Sequence, residues 1–183
     1  MKKKSPKPGQ HRPFTVVEYN PNWPTIYEKY KKLIAGIFGE SLAEVVHIGS
    51  TSVPGMTGKP NIDICATVTH LKDARKHYSE MKKAGFACHG DYSGINEEYF
   101  TIENESGERV VSLHVFAVSS DAVNKYKNFR DYLIEFDDER DKYIKLKRSL
   151  YSRYKDDYQK YDTGKKQLID EIRENATEWA SKN

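Results

Sequence analysis

Two β-prone runs set close together constrain this chain more than any other feature. Val45 to Ile48 is apolar and ends abruptly at Gly49-Ser50. A loop rich in Gly, Ser, Thr and Pro follows, and a second run, Asn61 to Val68, then begins with one carboxylate, Asp63, between Ile62 and Ile64. A Gly-Ser turn after a strand presents backbone N–H groups and hydroxyls to a phosphate. A carboxylate on the next strand can hold a metal ion against that phosphate. This order of residues predicts a sheet that handles phosphate at one end.

The rest of the chain supplies partners for that sheet. Trp23, Ile26, Tyr27, Tyr30, Leu33, Ile34, Ile37 and Phe38 follow helical spacing, with Asn22 as the expected cap and Gly39 as the stop. Phe14 to Glu18 reads as a first strand or an extended entry, and Leu71 to Ala84 as a helix ended by Gly85. Residues 86–117 read as a β meander turning at Asn104-Glu-Ser-Gly107, and its apolar last strand, Arg109 to Val118, is expected to be central. Helices are expected from Asp121 onward. Tyr143, Leu146, Leu150 and Tyr154 form one stripe, and Leu168, Ile172, Ala176 and Trp179 another.

Charge and composition narrow the setting. Residues 1–12 hold five basic residues and no acid, so the net charge of +3 leaves the rest of the chain at −2. Residues 1–12 are therefore expected to be a disordered basic tail, and 13–183 one domain. Without a basic excess on that domain, nucleic acid is an unlikely partner. No run has the length of apolar residues that a membrane span needs, and Met-Lys-Lys-Lys is not followed by an apolar segment. Cys65 and Cys88 form no disulfide framework, so a cytoplasmic location is expected.

Several site motifs fail on spacing. Gly58-Lys59 suggests a P-loop, but Val53 stands where its first glycine belongs and Pro60 where its Ser or Thr belongs. Gly49, Gly55 and Gly58 do not make a dinucleotide fingerprint. No Gly-x-Ser-x-Gly elbow and no zinc motif is present.

What remains resembles the GrpB family, within the nucleotidyltransferase superfamily that shares the fold of DNA polymerase beta. The residues that carry the resemblance are Tyr19-Asn-Pro-Asn-Trp23, His47-Ile-Gly-Ser-Thr51, Val53-Pro-Gly55, Lys59-Pro-Asn-Ile-Asp-Ile64, Leu113-His-Val-Phe116, Phe129-Arg-Asp-Tyr-Leu133, Tyr143-Ile-Lys-Leu-Lys147 and Tyr161-Asp-Thr-Gly-Lys165. The resemblance implies an α/β (α+β) nucleotidyltransferase-like fold: a mixed β-sheet flanked by helices, with further helices at the C-terminus. It implies a nucleoside triphosphate held through Gly49, Ser50 and Thr51, Mg²⁺ at Asp63, and phosphate charge met by Lys59, Arg130, Lys147 and Lys165. Transfer of a nucleotidyl group to a small hydroxyl acceptor would follow, with His114 as base.

Active members of the superfamily carry a second carboxylate two residues after the first, and often a third on a later strand. Here those positions hold Cys65 and His114. Thiols are poor Mg²⁺ ligands. Two functions therefore stay open: a transferase, or a module that binds a nucleotide or phosphorylated metabolite without turnover. Bland alternatives also stand. Ser50 can satisfy a turn, Cys65 and His114 can be core residues, Arg130 can pair with Asp131 or Asp137, and Lys147 can sit in a buried pair. Asp63, Cys65, His47 and His114 could also gather round a softer metal such as zinc.

Overall fold

The computed structural model describes residues 13–182, so the expected tail over 1–12 lies outside the described residues. Five strands form one sheet: β1 (Leu42–Ile48), β2 (Ile62–Val68), β3 (Ala87–Gly90), β4 (Glu98–Glu103) and β5 (Arg109–Ala117). Their order is β1-β2-β5-β4-β3. Only β2 and β5 run parallel; the other neighbours are antiparallel. The meander is present as expected, and β5 is the middle strand, which explains its apolar length.

Helices cover both faces. The helix α1 (Trp23–Phe38) buries Trp23, Tyr27, Ile34 and Phe38 against Ile62, Ile64, Ala66 and Val68 of β2 and Leu113 and Val115 of β5. Each such side chain contributes about 1.5–3 kcal/mol when fully buried. Leu33 is exposed, off that stripe. The short helices α2 (Leu71–Lys76) and α3 (Tyr78–Lys83) share this face, where Glu98 on β4 accepts from Arg75 and Tyr78. On the opposite face, α4 (Ala122–Glu135) lays Val123 over Val46, Ile48, Cys65 and Phe116. The helices α5 (Asp137–Tyr154), α6 (Tyr158–Gly164) and α7 (Lys166–Ala180) complete the C-terminal part. Tyr143, Ile144, Ile172 and Ala176 pack there with Tyr132 and Leu133 of α4 and with Val53 and Met56 of the loop after β1.

Three expectations need correction. Of the two readings of Phe14 to Glu18, the strand fails and the extended entry stands: Val17 alone bridges Gly58, by two backbone hydrogen bonds of 2.8 and 3.0 Å. The chain turns away at once through Asn20 and Pro21. Asn22 does not cap α1 with its side chain. The capping group is Asn20, whose Oδ1 accepts from Asn22 N and whose carbonyl accepts from Trp23 N. Residues 71–84 are two helices, broken at His77, where the backbone leaves helical geometry and the ring meets Phe38 edge-on.

Candidate functional site

The site starts from the turn after β1. Gly49 adopts φ +71°, a conformation that glycine takes without strain. A Cβ at this position would stand 2.6 Å from Asp63 Oδ2. The glycine therefore lets the loop lie directly on the carboxylate. Residues Ser50–Ser52 then form one 3-10 turn, with Ser52 Oγ donating to Gly49 O at 2.6 Å.

A buried lysine holds this loop from outside. Lys147 on α5 is 2% exposed. Its Nζ donates to Ser50 Oγ at 2.6 Å and to Thr57 O at 2.7 Å, and lies 4.1 Å from the Tyr143 ring centre. Gly58 makes room for this, since a Cβ there would meet Ser50 Cβ at 2.8 Å. Burial, and then the charges of Lys165 and Lys59, hold the Lys147 ammonium well below the usual lysine range. Lys165, at the junction of α6 and α7, is also buried, donates to Asp162 Oδ1 at 2.9 Å, and is pushed down by burial and by Lys59.

Next to this cluster a cavity of about 180 Å³ opens on the sheet face. Lys59, Asn61 and Asp63 line one side, and Tyr99, Arg109, Ser112 and His114 the other. Phe14 and Tyr158 also line it. The register explains the grouping. Asp63 is opposite Ser112, and Cys65 opposite His114, on parallel strands, while Tyr99 is opposite His114 across β4 and β5. All therefore share one face. Asn61 Nδ2 donates to Asp63 Oδ1 and to Ser112 Oγ, the latter at 3.2 Å. Burial pushes the Asp63 carboxyl above its usual range, and Lys59, His114, Lys165 and Arg109 pull it back.

His114 does not stand alone. Its Nδ1 lies 2.6 Å from Glu97 Oε2, a fully buried carboxylate just before β4. With the Glu97 carboxylate as acceptor, Nδ1 carries the hydrogen and Nε2 is the acceptor that remains on the ring. Glu97 escaped the sequence reading because it lies in a polar stretch, Ser93 to Glu98, that reads as an ordinary loop. Only its place two residues before Tyr99, just ahead of β4, hints at the site face.

The other expected site residues are placed elsewhere. Thr51 is buried; its Oγ1 donates to Asn61 O at 3.1 Å and accepts from His47 Nε2 at 2.9 Å. His47 is opposite Ile64, hence on the α1 face, stacked on Tyr27 at 4.6 Å. Burial, with the Arg130 charge, lowers it to about 4. Arg130 ties α4 to β1, donating to His47 O at 3.0 Å and to Asp131 at 2.7 Å. Cys65 is wholly buried beneath α4.

These positions decide the metal chemistry. His47 is across the sheet from Asp63, and among the described residues no three His, Cys, Asp or Glu side chains gather as a metal site. The second position of the superfamily pair is filled by Cys65 in apolar packing. The donor set does not fit two ions. A single Mg²⁺ would have Asp63 as its carboxylate ligand, completed by oxygens of a ligand and water.

Comparisons with known proteins agree with the fold. The family model described as GrpB protein matches residues 13–175. A UPF0157 protein of Halalkalibacterium halodurans is 33% identical over 167 residues, 89% of this chain and 83% of that protein. The glutamate-rich protein GrpB of Alkalihalophilus pseudofirmus is 33% identical over 162 residues, 86% of this chain and 92% of that protein. The crystal structure of conserved protein GrpB from Enterococcus faecalis superposes with a TM-score of 0.86 at 26% identity, covering 91% of this chain and 99% of that one. Among the described residues no helix is long and apolar enough to cross a membrane. The chain belongs to the GrpB family.

Proposed function

We propose that this chain binds a phosphorylated small molecule, a nucleoside triphosphate in the leading case, beside the Gly49-Ser50 loop. One observation carries the proposal: buried Lys147, donating to Ser50 Oγ at 2.6 Å, and buried Lys165 sit within charge range of Lys59 and of a single carboxylate, Asp63, so that burial, and then neighbouring lysine charge, holds both buried ammonium groups below their usual range. Such a concentration of cations costs free energy in a chain that binds nothing, and a polyanion relieves it. Lys147 donates to Ser50 Oγ, so the Ser50 hydroxyl hydrogen can point to a phosphate oxygen. Asp63 would hold one Mg²⁺, which supplies charge for the phosphates when bound.

The Glu97–His114 pair favours a second reading, nucleotidyl transfer. His114 Nε2 would take the proton of an acceptor hydroxyl. That oxygen would bond to the α-phosphorus as the bond to the bridging oxygen breaks. Pyrophosphate would leave with the electron pair, its charge met by Lys59 and Lys165.

Titration calorimetry with ATP, GTP, CTP and UTP, with and without Mg²⁺, tests the binding proposal. Saturable, Mg²⁺-dependent binding that Asp63→Asn abolishes while the fold is kept is the expected result. Absence of binding by all four, or equal binding by the variant, overturns it. Pyrophosphate release on adding hydroxyl acceptors distinguishes transfer from binding alone.

A further inference from the structure

The far wall of the cavity holds a cation that the phosphate cluster does not use. Arg109 opens β5, and its guanidinium is held by Tyr99. Nη1 donates to Tyr99 OH at 2.8 Å, and the guanidinium carbon lies 5.4 Å from the Tyr99 ring centre. Tyr99 OH in turn donates to Ser112 Oγ at 3.1 Å, and Ser112 meets Asn61, which holds Asp63. The polar row thus runs without a break from Asp63 to Arg109.

One donor in that row is left over. Arg109 Nε is buried and has no hydrogen-bond partner among the described residues. A buried guanidinium N–H without an acceptor is costly. With Nη1 taken, the remaining edge of the fork is Nε with Nη2, which matches the two oxygens of a planar carboxylate. Glu103 is opposite Arg109 in the ladder, yet it forms no ion pair with it among the described residues, and Glu103 Oε1 is also unpartnered. Glu108, on the cavity rim, has its carboxylate beside Asn104 Nδ2 at 3.1 Å. Glu108 on the rim and Glu103 beside Arg109 in the ladder both place negative charge near this guanidinium. They would repel a second phosphate dianion but leave room for a monoanion.

We propose that Arg109 is a carboxylate-binding subsite, so that the molecule meeting the bound phosphate compound in this cavity is a small carboxylic acid. This rests on the reading of the opposite wall as a phosphate site. Tyr99 acts as a positioning residue, aiming the fork through its hydroxyl and its ring. Glu103 and Glu108 set the limit of one negative charge.

The test uses the full chain and matched pairs of small hydroxycarboxylic acids and their primary amides, followed by ligand-observed NMR with and without Mg-ATP. Acids are expected to bind and their amides not. Arg109→Gln weakens the acids by at least about tenfold, the scale of a lost charge-assisted bidentate contact. Arg109→Lys does not restore them fully, because an ammonium lacks the fork. Mg-ATP affinity changes by clearly less than acid affinity in both variants, since Arg109 acts on the metal-side carboxylate, Asp63, only through its charge. Tyr99→Phe keeps the ring and weakens the acids about threefold or more by freeing Nη1. Glu103→Gln tightens them. Equal binding of acids and amides, acid binding unchanged in Arg109→Gln, weaker acid binding in Glu103→Gln, or no acid bound by the wild-type chain each overturns the proposal. Acid binding without any Mg-ATP binding would instead remove the phosphate reading and leave Arg109 standing.

Discussion

Gly49 and Asp63 interlock: the space a methyl group would need on the glycine is occupied by Asp63 Oδ2, 2.6 Å away. The positive φ at Gly49 adds strain for any larger residue. Gly49→Ala should therefore cost about 2 kcal/mol or more in urea unfolding. Combining it with Asp63→Ala should return part of that loss, with a coupling of about 1 kcal/mol. Simple additivity would mean that the two residues do not oppose each other.

Cys65→Asp restores the carboxylate pair on paper, but the pocket under α4 is apolar. The thiol is wholly buried among Val46, Ile48, Phe116 and Val123. The variant should lose about 3 kcal/mol or more, and Mg²⁺ should not recover it. A denaturant series with and without Mg²⁺ measures both.

His47 makes stability depend on pH. Its folded value is about 4, against 6.5 when unperturbed. Between these limits the unfolded chain takes a proton that the folded chain refuses, so stability falls as pH drops from 6.5 towards 4. The full loss is about 3 kcal/mol. His47→Gln can still reach Thr51 and should flatten this window. Urea midpoints at a series of pH values, for both proteins, decide it.

How much of this was readable beforehand differs from residue to residue. The sheet was legible because its strands carry period-two and apolar runs, and the C-terminal stripes because they keep helical spacing. Asp63 stood out as a carboxylate between isoleucines. Lys147 was marked by its place on an apolar stripe, but its partner is Ser50, 97 positions earlier, and no local pattern records such a distance. Cys65 and His47 could be sorted from the site only by register: Cys65 shares the face of Asp63 yet lies beneath α4, and His47 points to the other side. Glu97 was invisible because the value of a buried acid comes from the histidine it meets, one strand away.

Ligand binding should move protons. The ammonium groups of Lys147 and Lys165 are held below their usual range, and a bound polyanion raises them again. Mg-ATP binding at pH values below the usual lysine range should thus take up protons, and affinity should fall as pH rises towards that range. Calorimetry in two buffers of different ionisation enthalpy reads the uptake directly. A heat independent of buffer would show that neither lysine changes its charge.

The tie from Lys147 to Ser50 and Thr57 has a consequence for synthesis. All five strands are finished at Ala117, whereas the lysine that fastens the loop comes later, on α5. A nascent chain therefore owns a complete sheet before it owns a taut loop. Products cut short ahead of α5 would present the same strands with a slack cradle and would compete poorly for ligand. Recognition is in this sense withheld until α5 has been made.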